Sequence, residues 1–270
     1  MNKTNFIFFS LILCLGCSKK LNTIVIPEGT DPNFKIVSHQ DKGFTATNRK
    51  VDVFGIPIYA YEDVEDEKLL HAANVMAQYL DNDEDGVVDN PILITTLLAN
   101  NAALFMWKKE SQIRLNAQDL GADETVPEWH SNPNMRFDAS LEEVWHVITH
   151  SGYSKAYPEV FGENENSQLA KAMDIARGGV YQKIPSEYPT TAWYTYDDRT
   201  CTYDCQVTEY FYWGMTSILG AQKDRLESID NEWRLNTKDK VAQTDALLYQ
   251  LLTDSTYQFP TILPNGKYRQ

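Results

Sequence analysis

Two short stretches of the sequence concentrate side chains that hold metals and move protons. "DNDEDGVVD" (81–89) places five carboxylates and one glycine in nine residues. "SLEEVWHVITHSG" (140–152) carries two of the chain's five histidines, four residues apart, behind a pair of glutamates. A hard cation such as calcium takes roughly six to eight oxygens, so a single loop can serve it by converging carboxylates from alternate positions. Asp81, Asp83 and Asp85 occupy such positions, Gly86 permits a sharp turn, the carbonyl of Val87 can face inward, and Asp89 can reach the ion directly or through water. In the second stretch, at about 100° per residue, Leu141, Val144, Trp145 and Ile148 share one helix face and Glu142, Glu143, His146 and His150 the other. His146 and His150 could then meet at one zinc ion, with Glu209 as a third ligand and Glu143 as base on a bound water. The competing reading is electrostatic and local. Glu143 completes a capping box with Ser140, Glu142 sits at the positive end of the helix, and the histidines face solvent.

The acidic stretch resembles the calcium loop of EF-hands and, in its Asp-rich form, the loops of dockerins and thrombospondin type 3 repeats. The resemblance covers about a dozen residues and implies calcium held by Asp81, Asp83, Asp85, Val87 and Asp89, with Val88 packed beneath. It departs at the twelfth position, where an EF-hand has a bidentate glutamate and this chain has Ile92. The implied site is therefore either weak or completed by oxygens from another segment; a solvated acidic turn is the alternative. The histidine helix is similar to that of zincin metallopeptidases in its spacing alone. Those enzymes carry a glutamate directly after the first histidine, and here that place holds Val147, so their catalytic base does not carry over.

The elements that must position these residues are legible from periodicity. "KVDVFGIPIYAY" (50–61) reads as a strand, and Leu69, Ala73, Met76 and Leu80 mark a helix running into the acidic stretch. Asn90-Pro91 supplies a cap and a first-turn proline for a second helix through "ILITTLLANNAALFMW" (92–107). Residues 116–138 read as a long connection, and Gly152 as the stop of the histidine helix. "SQLAKAMDIARGG" is a further helix, and three helical pieces follow at 206–220, 222–235 and 240–253. The expected fold is mainly α (α+β): a single helical domain over 49–270 with a small N-terminal β component and one helix-loop-helix calcium turn.

The chain has 270 residues, 43% of them apolar, enough for a sizeable core, and a net charge of -14 that disfavours nucleic acid and anionic lipid as partners. "MNKTNFIFFSLILCLGCSKK" has the layout of a signal peptide over 1–16, its apolar run being too short to span a bilayer. Its Leu-Gly-Cys ending resembles the lipobox of bacterial lipoproteins, which implies lipidation at Cys17; a plain signal peptide is the alternative. Residues 17–48 then form a tether with short strands. An exported chain favours a disulfide between Cys201 and Cys205. Around them, "WYTYDDRTCTYDCQVTEYFYW" (193–213) gathers eight aromatics, suited either to a glycan-binding cleft or to the core face of a helix. His39, His71 and His130 stand alone and read as structural. These features lead to the expectation of an exported, lipid-anchored, calcium-binding surface protein with a glycan or peptide as its ligand. The alternative expectation is a zinc-dependent hydrolase using His146 and His150.

Overall fold

The computed structural model describes residues 34–270, so the readings of the leader, of Cys17 and of the tether before Phe34 lie outside the described residues. The stretch 50–61 is two strands, not one: β2 (Arg49–Val53) and β3 (Ile56–Ala60) form an antiparallel hairpin. Phe54 (φ 49°) and Gly55 (φ 88°) both take the left-handed conformation, which lets a two-residue turn follow the natural strand twist. β1 (Val37–Ser38) extends the hairpin on its outer side.

The helix expected over 92–107 is also divided. α1 (Asp66–Leu80) and α2 (Pro91–Ala99) form as anticipated, and Asn90 caps α2 by accepting from the backbone N–H groups of Ile92 and Leu93. The chain then breaks at Asn100-Asn101, where Asn101 adopts φ 52°, and "LFMW" becomes β4 (Leu104–Trp107). β5 (Gln118–Gly121) lies within the stretch read as connection. β3 pairs parallel with β4 and β4 parallel with β5, so the sheet is mixed and runs β1-β2-β3-β4-β5. α1 and α2 form the crossover that a parallel pair requires. The fold is thus α+β, built on a five-stranded sheet, and not a mainly helical domain with a minor β appendage. A short apolar run fits a buried parallel strand as well as a helix, which is why periodicity alone merged β4 with α2.

The remaining helices are α3 (Ser140–Ile148), α4 (Ser154–Ala156), α5 (Pro158–Phe161), α6 (Gln168–Ala176), α7 (Tyr203–Leu219), α8 (Leu226–Ile229), α9 (Lys238–Thr244) and α10 (Ala246–Thr253). α3 sits at the centre, packed between α1, β5 and α7, with Leu141, Val144, Trp145 and Ile148 buried as its spacing predicts. Trp145 meets Tyr79 of α1, Phe211 of α7 and Tyr153, in a core that also gathers Phe161 and Phe259. The chain does not stop at Gly152. Beyond Ile148 the helix widens into a π turn (Thr149–Tyr153), in which the Ser154 N–H bonds to the Thr149 carbonyl five residues back. No helix among the described residues is long and apolar enough to cross a membrane.

Candidate metal centre

α3 begins with Asp138 Oδ1 accepting from the N–H of its first residue, Ser140. The expected capping box is absent: Ser140 is the first helical residue, its hydroxyl donates to Asp138, and Glu143 is free to turn into the interior. There Glu142, Glu143 and His146 each bring one ligand atom within 4.8 Å of the others. α7, crossing α3, adds Glu209. The His146 ring lies between two carboxylates, with Nδ1 3.5 Å from Glu143 Oε2 and Nε2 3.6 Å from Glu209 Oε2. That Nε2 is buried and has no hydrogen-bond partner. Tyr212 of α7 presents its edge to the imidazole, and Gln118 of β5 donates to Glu143 Oε2 at 2.5 Å.

Burial and the neighbouring charges of Glu209 and Glu143 push Glu142 up to about 8. Burial, with Glu143 close by, also raises Glu209. His146 shows the complementary effect: burial would lower it, but Glu209, Glu143 and Glu142 prevail and hold it up to about 10. Tyr196, beside Glu209, is raised far above the usual phenol range by burial and that carboxylate. Three acids gathered round one buried imidazole repel one another unless protons or a cation intervene.

The expected pairing of His146 with His150 does not form. The half-exposed ring of His150 bonds instead through Nδ1 to Glu163 Oε1 at 2.9 Å. Glu163 is held in turn by Thr208 and Lys155. The two histidines border one cavity of about 550 Å³ without converging on a point in it. The residue that shares the His146 face at helical spacing is Glu142, four positions earlier, followed directly by Glu143. The sequence carries that signal as Glu-Glu-x-x-His, with Glu143 already expected as base; Glu142 stayed hidden because it equally suits the positive end of the helix.

The acidic loop folds much as its residue types dictate. Asp81, Asp83 and Asp85 bring ligand atoms within 4.8 Å of one another. Gly86 takes φ 93° and donates to Asp81 Oδ2 at 2.8 Å, while Asp89 Oδ2 accepts from the Asn82 N–H and Val88 is buried. Burial pushes Asp81 up to about 6, a hydrogen bond shared with Asp83 and the charge of Asp89 adding to it. Sequence reading missed what lies against this loop. The C-terminal segment wraps it, with Thr261 and Ile262 N–H groups on Asn82 Oδ1, Asn265 and Gly266 N–H groups on Gln78 Oε1, and the buried Tyr268 hydroxyl on Asp81.

A third group was invisible in the sequence, because its histidines lie far apart along the chain. His71 of α1 and His130 both bond through Nε2 to Asp138 Oδ2, at 2.6 and 2.8 Å. Cys201 and Cys205 are joined in a disulfide that immediately precedes and enters α7. The aromatic stretch supplies core in the main, Tyr194, Tyr210, Tyr212 and Trp213 being buried. Comparison with known protein families, curated proteins and solved structures finds no match to the chain.

Proposed function

We propose that the chain is a metal-dependent hydrolase, with a divalent ion held by Glu142, His146 and Glu209 and with Glu143 as the general base. The observation that carries this reading is the buried, unpartnered Nε2 of His146, 3.6 Å from a Glu209 carboxylate. Two ligands of a tetrahedral zinc, with bonds of about 2.0–2.1 Å, stand about 3.3 Å apart, so this separation is near what a shared ion needs. The ion would supply Lewis acidity and a lowered pKa for a bound water. Glu142 and His146, one helical turn apart, fix the position on α3, while Glu209 closes it from α7. Glu143 follows Glu142 by one residue, the relation that metallopeptidase helices use to set a base beside the water; here a carboxylate replaces the first imidazole of that pattern. With the ion bound, Glu143 would take a proton from the water as the water oxygen adds to a substrate carbonyl carbon, and would return that proton to the leaving group as its bond to that carbon breaks. Gln118 orients Glu143 from the sheet side. The cavity bordered by His146 and Gln118 offers the substrate a way in.

Protein purified without chelator should contain one zinc at this centre by elemental analysis, lost in His146→Ala. Glu143→Gln should keep the metal and lose about 10²–10⁴-fold in turnover on a panel of peptide and ester substrates. His150→Ala should retain metal and activity. Folded protein that takes up no transition metal at Glu142 and His146 after zinc reconstitution sinks the reading.

The acidic loop, on this reading, holds calcium as a clamp between α1 and α2, supported by the gathering of Asp81, Asp83 and Asp85. Added calcium should raise the melting temperature and EGTA lower it; an unchanged Tm, with Asp83→Ala also silent, tells against calcium. The leader and Cys17 support export and lipid anchoring, so Cys17→Ala should move the protein from the membrane fraction to the soluble one.

A further inference from the structure

Asp138 is over-supplied with donors. Its Oδ2 faces His71 Nε2 at 2.6 Å, His130 Nε2 at 2.8 Å and the Ser140 hydroxyl at 2.6 Å, while its Oδ1 accepts from the backbone N–H groups of Val126 and Ser140. A carboxylate offers about four lone-pair sites, and here five donors compete for them. Asp138 is fully buried and His71 nearly so, so water does not relieve the crowding. The three residues come from separate segments: α1, the 3₁₀ turn Pro127–His130, and the residue two before α3.

We propose that His71, His130 and Asp138 form a second metal site, for a zinc-like divalent ion, distinct from the centre at Glu142 and His146. One ligand atom from each of the three lies within 4.8 Å of the other two. Both imidazoles would bind through the Nε2 lone pair, with the ring proton on Nδ1. The N···O separations need to open by about 0.5–0.7 Å to reach the roughly 3.3 Å set by tetrahedral bonds of about 2.0–2.1 Å. Ser140 keeps its hydrogen bond to Asp138 and so orients the carboxylate from outside. Two imidazoles and one carboxylate suit zinc and its first-row neighbours, whereas the all-oxygen loop at 81–89 suits calcium. Cavities of about 570 Å³ beside His71 and about 200 Å³ beside His130 provide entry and room for a water as fourth ligand. Such an ion would tie α1 and the 3₁₀ turn to the start of α3, the helix that carries Glu142, Glu143 and His146.

The test separates this site from the hydrolase centre. In the mature protein bearing Glu142→Gln and His146→Ala, with calcium in excess to fill the acidic loop, cobalt(II) or zinc(II) should bind at one equivalent. Cobalt should show the visible band of a low-symmetry, nitrogen-containing site, and adding His130→Ala should abolish both uptake and band. Folded double variant that takes up neither ion, or uptake that His130→Ala leaves unchanged, overturns the proposal. Should the double variant fail to fold, His130→Ala in the wild-type background decides: loss of one equivalent supports the site, and no loss overturns it. One equivalent in the wild type that disappears in His130→Ala but survives Glu142→Gln would sink the hydrolase reading and leave this one standing.

Discussion

At the scale of single residues, the protein concentrates cost where acids are buried together. Glu232, itself no proposed ligand, shows the effect: burial, with the charges of Asp197 and of the proposed ligand Glu209, pushes its carboxyl up to about 7. The folded state therefore holds that proton more tightly than the unfolded chain does. Its contribution to stability is complete below about pH 4.5, the ordinary glutamate value, and is lost as pH rises to about 7. Glu232→Gln removes the dependence. The variant should match the wild type in melting temperature near pH 4 and exceed it at pH 8, by the equivalent of about 1–2 kcal/mol after solvent screening. Equal melting curves at both pH values would show that Glu232 ionises normally in the fold.

At the scale of elements, α3 runs on into a π turn against which α2 packs, and His150 at its start pairs with Glu163 and not with the centre at His146. Close packing constrains this turn. A Cβ on Gly152 would lie 2.6 Å from Leu93 Cδ1 and 3.0 Å from Leu97, so α2 can approach this turn only over a glycine. Gly152→Ala should cost about 1–3 kcal/mol in denaturant unfolding, through overpacking and not through loss of any polar contact. A change below about 0.5 kcal/mol would mean that α2 shifts aside freely. The same element shows the reach of sequence reading. The apolar stripe Leu141, Val144, Trp145 and Ile148 was legible from spacing, because burial of one face is a local consequence of helical period. The departure from that period into a π turn was not, because the local spacing of apolar residues does not mark it.

At the scale of the whole molecule, the C-terminal segment brings residues nearly two hundred positions away onto the acidic loop. Tyr268 is fully buried and donates to Asp81, while Phe34 stacks on its ring and Phe54 meets it edge to face. Tyr268→Ala should destabilise the protein by about 3–5 kcal/mol, as removal of a buried aromatic does. It should also weaken any calcium-induced rise in melting temperature, since Asp81 loses its partner and its packing. A variant with wild-type stability and calcium response would show that the segment lies on the loop without supporting it.

The sequence by itself determined the acidic loop, the cap on α2, the buried stripe of α3 and the pairing of Cys201 with Cys205, because each depends on neighbours within a few residues. Tertiary structure alone decided the division of 92–107 into α2 and β4, since a four-residue apolar run becomes a strand only when β3 and β5 flank it. It alone chose Glu142 over His150 as the companion of His146, and brought Glu209 to them across α7. It alone joined His71 and His130 at Asp138, which lies 67 residues from the first and 8 from the second. The physical reason is common to these cases: local geometry follows from short-range sterics and hydrogen bonding, whereas a buried polar site is assembled only when distant elements exclude water from the same point.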